Sequence, residues 1–272
     1  MKLSVVIITL NEENNISGCI RSARDLSDDI IVVDAGSKDK TIELAQKENV
    51  IVFPIEWDSY GSSRNLGASL AKHDWILCLD ADERVSKELA DSILAANFDH
   101  PSFVYSFRRQ NYIGNRKVRF GTMGADKVTR IYNRNFTKWD LSIVHEKLGS
   151  NGVTKKMIDG HVDHFCFKSF DDYRSKAEQY AQMSARKYFL EGRKAGLKTI
   201  FSPFFNSVKS YIFQLGFLEG IRGIQITRII AYYSWLKYAH LQQLHDNKDN
   251  IATNYASGKI KTSTQTLGGG PV

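Results

Sequence analysis

Cysteine is scarce in this 272-residue chain, and its placement excludes several classes of protein. Cys19, Cys78 and Cys166 lie far apart, with no Cys-x-x-Cys pair and no Cys/His spacing suited to zinc. A disulfide framework and a structural zinc site are therefore not expected, and the three thiols read as small buried apolar side chains in a reducing compartment. Long apolar runs are absent too. The opening Val5-Val6-Ile7-Ile8 is too short for a signal peptide, and Asn11-Glu12-Glu13 stands where a cleavage site would be needed. No uncharged stretch reaches the roughly 20 residues that cross a bilayer. The first strand is not followed by Gly-x-Gly-x-x-Gly, which excludes a dinucleotide site of the Rossmann type, and no Gly-x-x-x-x-Gly-Lys-Ser/Thr loop is present.

A hydrophobic content of 42% is enough to bury a large core, so a disordered or fibrous chain is not expected. The formal charge of +7 is segregated. Residues 1–164 carry 22 basic and 23 acidic side chains, whereas residues 165–272 carry 15 and 7. Basic character thus belongs to the C-terminal third and points to an anionic partner, either a phospholipid surface or a phosphorylated acceptor. Nucleic acid is not expected, because no nucleic-acid-binding motif accompanies the charge.

The first hundred residues alternate β-branched runs with helical spacing, as βαβ units of a mostly parallel sheet do. Strands are predicted at Leu3–Thr9, Ile30–Asp34, Val50–Phe53 and Trp75–Asp80, and helices at Asn14–Asp25, Lys38–Glu48 and Ser62–Lys72, with Ser37, Asp39 and Ser62 as caps. From Phe103 to Val162 the helical pattern lapses, and short strands are expected at Phe103–Arg108, Lys127–Tyr132 and Lys138–Val144. A helix is predicted over Phe170–Glu191. Ile200–Leu244 is rich in Phe, Tyr and Ile interrupted by Lys and Arg, and a flexible tail is expected from Asp246. The organisation is read as a catalytic domain over 1–168, split near residue 100 into a nucleotide half and an acceptor half. A basic helical region over 169–245 and a tail over 246–272 follow.

Ligands of open α/β sheets bind beyond the carboxyl ends of the strands, so the residues there carry the functional reading. Asp80-Ala81-Asp82 follows the buried run Trp75–Leu79. Two carboxylates fixed at a strand end can share one hard cation, Mg²⁺ or Mn²⁺, together with a diphosphate. Asp34, ending Ile31-Val32-Val33 before Ala35-Gly36-Ser37, is either an acceptor for a nucleobase or ribose or a turn residue. Arg64, within Gly61-Ser62-Ser63-Arg64-Asn65-Leu66-Gly67, could meet phosphate oxygens near a helix start, with surface solvation as the alternative.

Taken in order, Leu3–Glu13, Val32–Thr41, Ser63–Gly67 and Leu79–Val85 resemble family 2 glycosyltransferases of the GT-A fold. With Val144-His145-Glu146 and the basic aromatic C-terminal helices, the chain is most similar within that family to the bacterial lipopolysaccharide-core β-1,4-glucosyltransferase group. The resemblance implies an α/β GT-A-type fold with a mostly parallel central sheet and a C-terminal helical appendage. It also implies inverting transfer of a hexose, glucose first, from a UDP-sugar to a saccharide or lipid-linked acceptor. By the same resemblance Thr9, Asn11, Glu12 and Asp34 hold the nucleotide, Arg64 belongs to the donor site, Asp80 lies near ribose and metal, and Asp82 is a metal ligand. Glu146 is then the candidate base, since inverting transfer needs one carboxylate to take the acceptor's proton, with a surface ion-pair partner as the alternative. The chain departs from the Glu-Asp pair that many members use for the base, and it lacks the Gln-x-x-Arg-Trp of processive synthases. His145 and His164 are read first as structural, with orientation of a carboxylate or approach to the metal as the alternative.

The segment from Ser202-Pro203-Phe204-Phe205 through Tyr238 is read as lying in the headgroup layer of an anionic membrane, aromatics inward. That places the protein in the cytoplasm at the inner face of the cytoplasmic membrane. A helical cap or a dimer interface is the rival. A sugar-phosphate nucleotidyltransferase and a non-catalytic membrane-surface protein are the competing functions, the first of which would carry a glycine-rich basic loop after its first strand.

Overall fold

A computed structural model describes residues 2–124, 126–141 and 146–256. The nine strands are β1 (Leu3–Thr9), β2 (Ile30–Asp34), β3 (Ile51–Pro54), β4 (Trp75–Asp80), β5 (Glu83–Val85), β6 (Phe103–Ile113), β7 (Arg116–Lys117), β8 (Asp126–Asn133) and β9 (Thr154–Phe167). The helices are α1 (Ile16–Ala23), α2 (Thr41–Lys47), α3 (Tyr60–Leu70), α4 (Lys87–Ala95), α5 (Phe170–Leu190), α6 (Lys198–Val208) and α7 (Ile221–Ala256). One sheet runs in the order β3-β2-β1-β4-β8-β6-β9-β5, with β7 pairing β6. The β3-β2-β1-β4 half is parallel throughout, and so is the long β6–β9 ladder. Antiparallel β8 joins the two halves.

All seven residues of β1 are buried, because helices cover both faces of the sheet. The alternation of a strand sorts them. Leu3, Val5 and Ile7 face α1 and α4 through Ile16, Cys19, Ile20, Leu89 and Ile93. Val6 and Ile8 face the opposite layer, with Ala68 of α3, Tyr132 and Trp139. All three cysteines are buried and free, as expected.

Strand order determines where a ligand can bind. From β1 the chain steps outward to β2 and β3, then returns to the other side of β1 as β4. In open α/β sheets a crevice forms at such a switch, beyond the carboxyl ends of the strands. Register places Thr9 opposite Asp34 and Ile8 opposite Asp80, so β2, β1 and β4 present their last residues along one rim.

Several local expectations are corrected. The cap of α3 is Ser59, whose hydroxyl accepts from Ser62 N at 3.1 Å; Ser62 itself lies inside the first turn. The helix starts earlier than its polar residues suggest because Tyr60 and Gly61 pack inward. The cap position of α2 is Lys40, so neither Ser37 nor Asp39 is its cap: Asp39, one residue further out, accepts from Thr41 N at 3.0 Å, and Ser37 Oγ accepts from Asn11 N at 2.8 Å. In 138–144 the described residues form only a single bridge, Trp139 with Leu148, since Trp139 is drawn into the core beside Tyr132. The tail expected from Asp246 begins as helix, for α7 runs through Ala256; residues beyond it lie outside those described.

The C-terminal helices are tied to the sheet by both packing and polar contacts. Ile226 of α7 packs with Ile113 and Val118. Glu219 accepts from the amides of Arg119 and Phe120 at 2.6 and 3.1 Å, and Ser210 Oγ accepts from Thr122 N at 3.2 Å.

Gly67 reports the closeness of α3 to the sheet. A Cβ there would stand 2.3 Å from Val6 Cγ1 and 3.0 Å from Val33 Cγ2, both on buried β-branched side chains with little freedom. In an open helix Gly→Ala gains about 0.5–1 kcal/mol. Here overpacking of about 1–3 kcal/mol outweighs that gain. Gly67→Ala is expected to lower the urea midpoint with an unchanged slope; a raised midpoint would contradict the packing described.

Candidate functional site

Each rim residue is placed by the strand it ends and the turn that follows. Asp34 Oδ1 accepts from Gly36 N at 2.9 Å and Ser37 N at 2.8 Å, a turn that Gly36 enters with φ of +93°. Its other oxygen, Oδ2, is buried without a partner, as is Thr9 Oγ1 beside it. Asp34 is therefore a turn residue whose second oxygen remains an unspent acceptor. A buried polar atom without a partner costs free energy unless a ligand satisfies it. Asn11, at φ of +55°, turns the chain back so that its Oδ1 receives Lys38 N at 2.8 Å. Glu12 accepts from Asn15 Nδ2 at 2.8 Å; burial, and then the negative charge of Asp82, raise its pKa.

The carboxyl end of β4 holds a knot of buried charge. Asp80 Oδ1 lies 2.6 Å from Arg64 Nη2, and Oδ2 lies 2.5 Å from Arg130 Nη2. Arg130 also bonds Glu83 Oε1 at 3.1 Å, and Glu83 Oε2 accepts from Asp80 N at 3.0 Å. Arg109 approaches Glu83 at 3.6 Å. Arg64 is only 2% exposed, stacks over Trp139 at 4.7 Å and pairs through Nη1 with Glu146. The surface-solvation alternative for Arg64 is thus overturned: its guanidinium is enclosed by two carboxylates and an indole. Burial alone would raise the pKa of Asp80, but Arg130 and Arg64 hold it well below the usual carboxylate range.

Asp82 faces away from this knot. Its Oδ2 lies 3.3 Å from His164 Nε2, and His164 Nδ1 lies 2.6 Å from Asn111 Oδ1. Asn111 Nδ2 donates to Met123 O at 2.6 Å, which fixes the amide orientation and so puts a proton on Nδ1. Nε2 then meets Asp82 either with a second proton or across a cation. Burial would lower the histidine's pKa, yet the Asp82 carboxylate outweighs it and raises it. In turn His164 outweighs burial at Asp82 and lowers its pKa. The Asp82 carboxylate suits Mg²⁺ or Mn²⁺, which prefer oxygen, whereas the imidazole oriented from behind is a softer donor that such a cation takes less readily. Among the described residues no group of three or more His, Cys, Asp or Glu is arranged to hold a metal. The remaining ligands would have to come from phosphate and water.

The structure thus brings Thr9, Asn11, Glu12, Asp34, Arg64, Asp80, Asp82 and Glu146 to one end of the sheet. His145 lies outside the described residues. Arg130, Arg109 and Asn111 escaped the sequence reading because they sit in mid-strand with no motif about them. The available signal was a polar or charged side chain within a run of apolar strand residues. His164 was expected first to be structural; the structure sets it against Asp82.

The chain matches the family model for "Glycosyl transferase family 2" over residues 4–163. It is 28% identical to a glycosyltransferase of Rickettsia prowazekii, covering 93% of this chain and 91% of that one. It is 27% identical to the lipopolysaccharide core biosynthesis glycosyltransferase LpsC of Rhizobium meliloti, covering 90% and 93%. The solved structure of TarS from S. aureus is similar with a TM-score of 0.46 and 15% identity, over 89% of this chain and 55% of that one.

Arg130 is the member of the knot whose removal leaves the most uncompensated charge. Arg130→Met is expected to cost about 3–5 kcal/mol in urea denaturation, because Glu83 is fully buried. Arg21→Met removes a guanidinium that stands 71% exposed beside Glu48 and is expected to shift the urea midpoint far less. Equal losses in the two variants would show that the buried knot carries no special weight.

Proposed function

We propose that this chain, which belongs to glycosyl transferase family 2, transfers a hexose, glucose first, with inversion from a UDP-sugar to a saccharide or lipid-linked acceptor of lipopolysaccharide or cell-surface glycan. The observation that carries the reading is the meeting of Asp34, Asp80 and Asp82 along the switch-point rim, with Arg64 and Glu146 joined behind them. The likeness to LpsC, a lipopolysaccharide core glycosyltransferase by name, supports the acceptor class.

In this reading the unpaired Thr9 Oγ1 and Asp34 Oδ2 accept from the base or ribose of the nucleotide. A divalent cation on Asp82 and His164 would neutralise charge on the departing diphosphate. Arg64 touches Asp80 and Glu146 together, so a phosphate oxygen that draws its guanidinium loosens its hold on Glu146. Glu146 then takes the proton of the acceptor hydroxyl as that oxygen bonds to C1 of the sugar. The C1–O bond to phosphate breaks on the opposite face, and its electron pair leaves with UDP.

The C-terminal helices would hold the enzyme at the inner face of the cytoplasmic membrane. No helix among the described residues is long and apolar enough to span a bilayer. Yet α6 buries none of its residues, and Phe205, Phe213 and Ile221 are 73, 77 and 78% exposed, with Lys194, Lys198 and Lys209 close to them in sequence. Apolar side chains ringed by cations suit an interface with anionic lipid. Phe205→Ser/Phe213→Ser should abolish sedimentation with phosphatidylglycerol vesicles. Retained binding, or a loss of dimers instead, would move that face to another partner.

Two experiments test the chemistry. In a thermal-shift screen with Mn²⁺, UDP-glucose should raise the melting temperature more than GDP- or dTDP-sugars, and Asp82→Asn should remove the metal-dependent part. Equal shifts for all three nucleotides would remove the uridine assignment, and pyrophosphate release would indicate the nucleotidyltransferase. Glu146→Gln should lower kcat by about 10²–10⁴-fold with UDP affinity unchanged. Full activity in that variant would exclude it as the base.

A further inference from the structure

Three aromatic side chains at the mouth of the cleft have no part in the chemistry above. Trp57, in the loop between β3 and α3, is 42% exposed and meets the ring of Tyr60 edge-on, with centroids 6.0 Å apart. Tyr60 opens α3 and stands one turn before Arg64, on the same helix face and so about 5–6 Å away along it. Arg64 in turn holds Glu146. On the far side, Tyr180 of α5 has a ring that is 43% exposed, while burial of its hydroxyl, then Tyr60 and the charges of Asp82 and Asp80 nearby, raise its pKa. One turn before it, Lys176 donates to Cys166 O at 2.9 Å, two residues past His164 on β9. The face of α5 that carries Lys176 and Tyr180 is therefore turned to the rim.

Two exposed aromatic rings flanking a half-buried phenol, beside the candidate base, form a surface with a definite chemistry. A pyranose has one face lined by C–H groups and an edge of hydroxyls. Aromatic rings cover the face, and phenol hydroxyls bond the edge. We propose that Trp57, Tyr60 and Tyr180 form the platform that holds the terminal pyranose of the acceptor, so that α5 belongs to the acceptor subsite. This rests on the transferase reading and names its acceptor chemistry: a pyranose ring presenting an unsubstituted C–H face. It also transfers part of acceptor recognition from residues 101–168, where the sequence placed it, to the β3–α3 loop and the helical appendage. An acceptor on this platform has its hydroxyls within reach of the side of the cleft where Arg64 holds Glu146.

The probe is methyl β-D-glucopyranoside, with methyl β-D-galactopyranoside beside it, added to the full chain with UDP and Mn²⁺. Saturation-transfer NMR should show one C–H face of the ring receiving most of the magnetisation. Tyr180→Ala and Trp57→Leu should each raise the half-saturating pyranoside concentration about tenfold, while Tyr180→Phe, which keeps the ring, loses less. UDP affinity, measured separately by thermal shift, should stay within about twofold in all three. Even transfer around the ring, unchanged binding in Trp57→Leu and Tyr180→Phe, or a matching loss of UDP affinity would overturn the platform. If the wild-type chain fails to bind UDP but still shows the face-selective pattern, the donor assignment falls and the saccharide platform stands. If it binds UDP and neither pyranoside, the platform alone is wrong. Trp57 is an exposed loop residue, so its variant keeps the test sound even if Tyr180→Ala does not fold.

Discussion

Two guanidiniums closing on one carboxylate at the end of β4 set the geometry of everything around them. Burying Asp80, Glu83, Arg64 and Arg130 together is costly unless each charge finds its partner, and here each does. The knot fastens α3 through Arg64, β8 through Arg130 and the segment at Glu146 to one strand terminus. Because these elements come from distant parts of the chain, the rim is rigid without any covalent staple. The next carboxylate, Asp82, makes no ion pair with the knot among the described residues and meets an oriented imidazole instead.

That division of labour between two aspartates separated by one residue follows from the strand ending between them. Asp80 is still on β4, and its carbonyl receives the Cys19 thiol at 3.5 Å. Asp82 lies past the strand, where its own carbonyl accepts from Phe165 N at 2.9 Å and its side chain reaches β9. Both halves of the sheet thus converge on this one tripeptide. The family match over residues 4–163 covers this convergence but stops short of α5, which brings Lys176 and Tyr180 back to the same opening.

The helical appendage shows two contrasting surfaces. Toward the sheet it is held by directional bonds, Glu219 and Ser210 to the amides of Arg119, Phe120 and Thr122, and by Ile226 against Ile113 and Val118. On the other side, α6 and the turns after it leave large apolar side chains in water. A region so firmly attached on one face and so apolar on the other is built to present that second face.

Local order was legible wherever it depended on near neighbours in sequence. The β-branched runs marked β1, β2 and β4 to the residue, and the strand-ending carboxylates Asp34, Asp80 and Asp82 could be singled out because a strand's carboxyl end is where α/β sheets bind ligands. The α/β architecture with a helical appendage and the family itself were also within the sequence's reach, through four short motifs in order. Tertiary structure alone decided the partners. Arg130, Arg109 and Asn111 come from strands whose pairing no local pattern specifies, and His164 meets Asp82 only because β9 runs beside β5. Trp139 was drawn from an expected strand into the core, and Ser59 displaced Ser62 as the cap, because packing against the sheet outweighed local propensity. Charge pairing and burial act through space, and a sequence records only which residues are available for them.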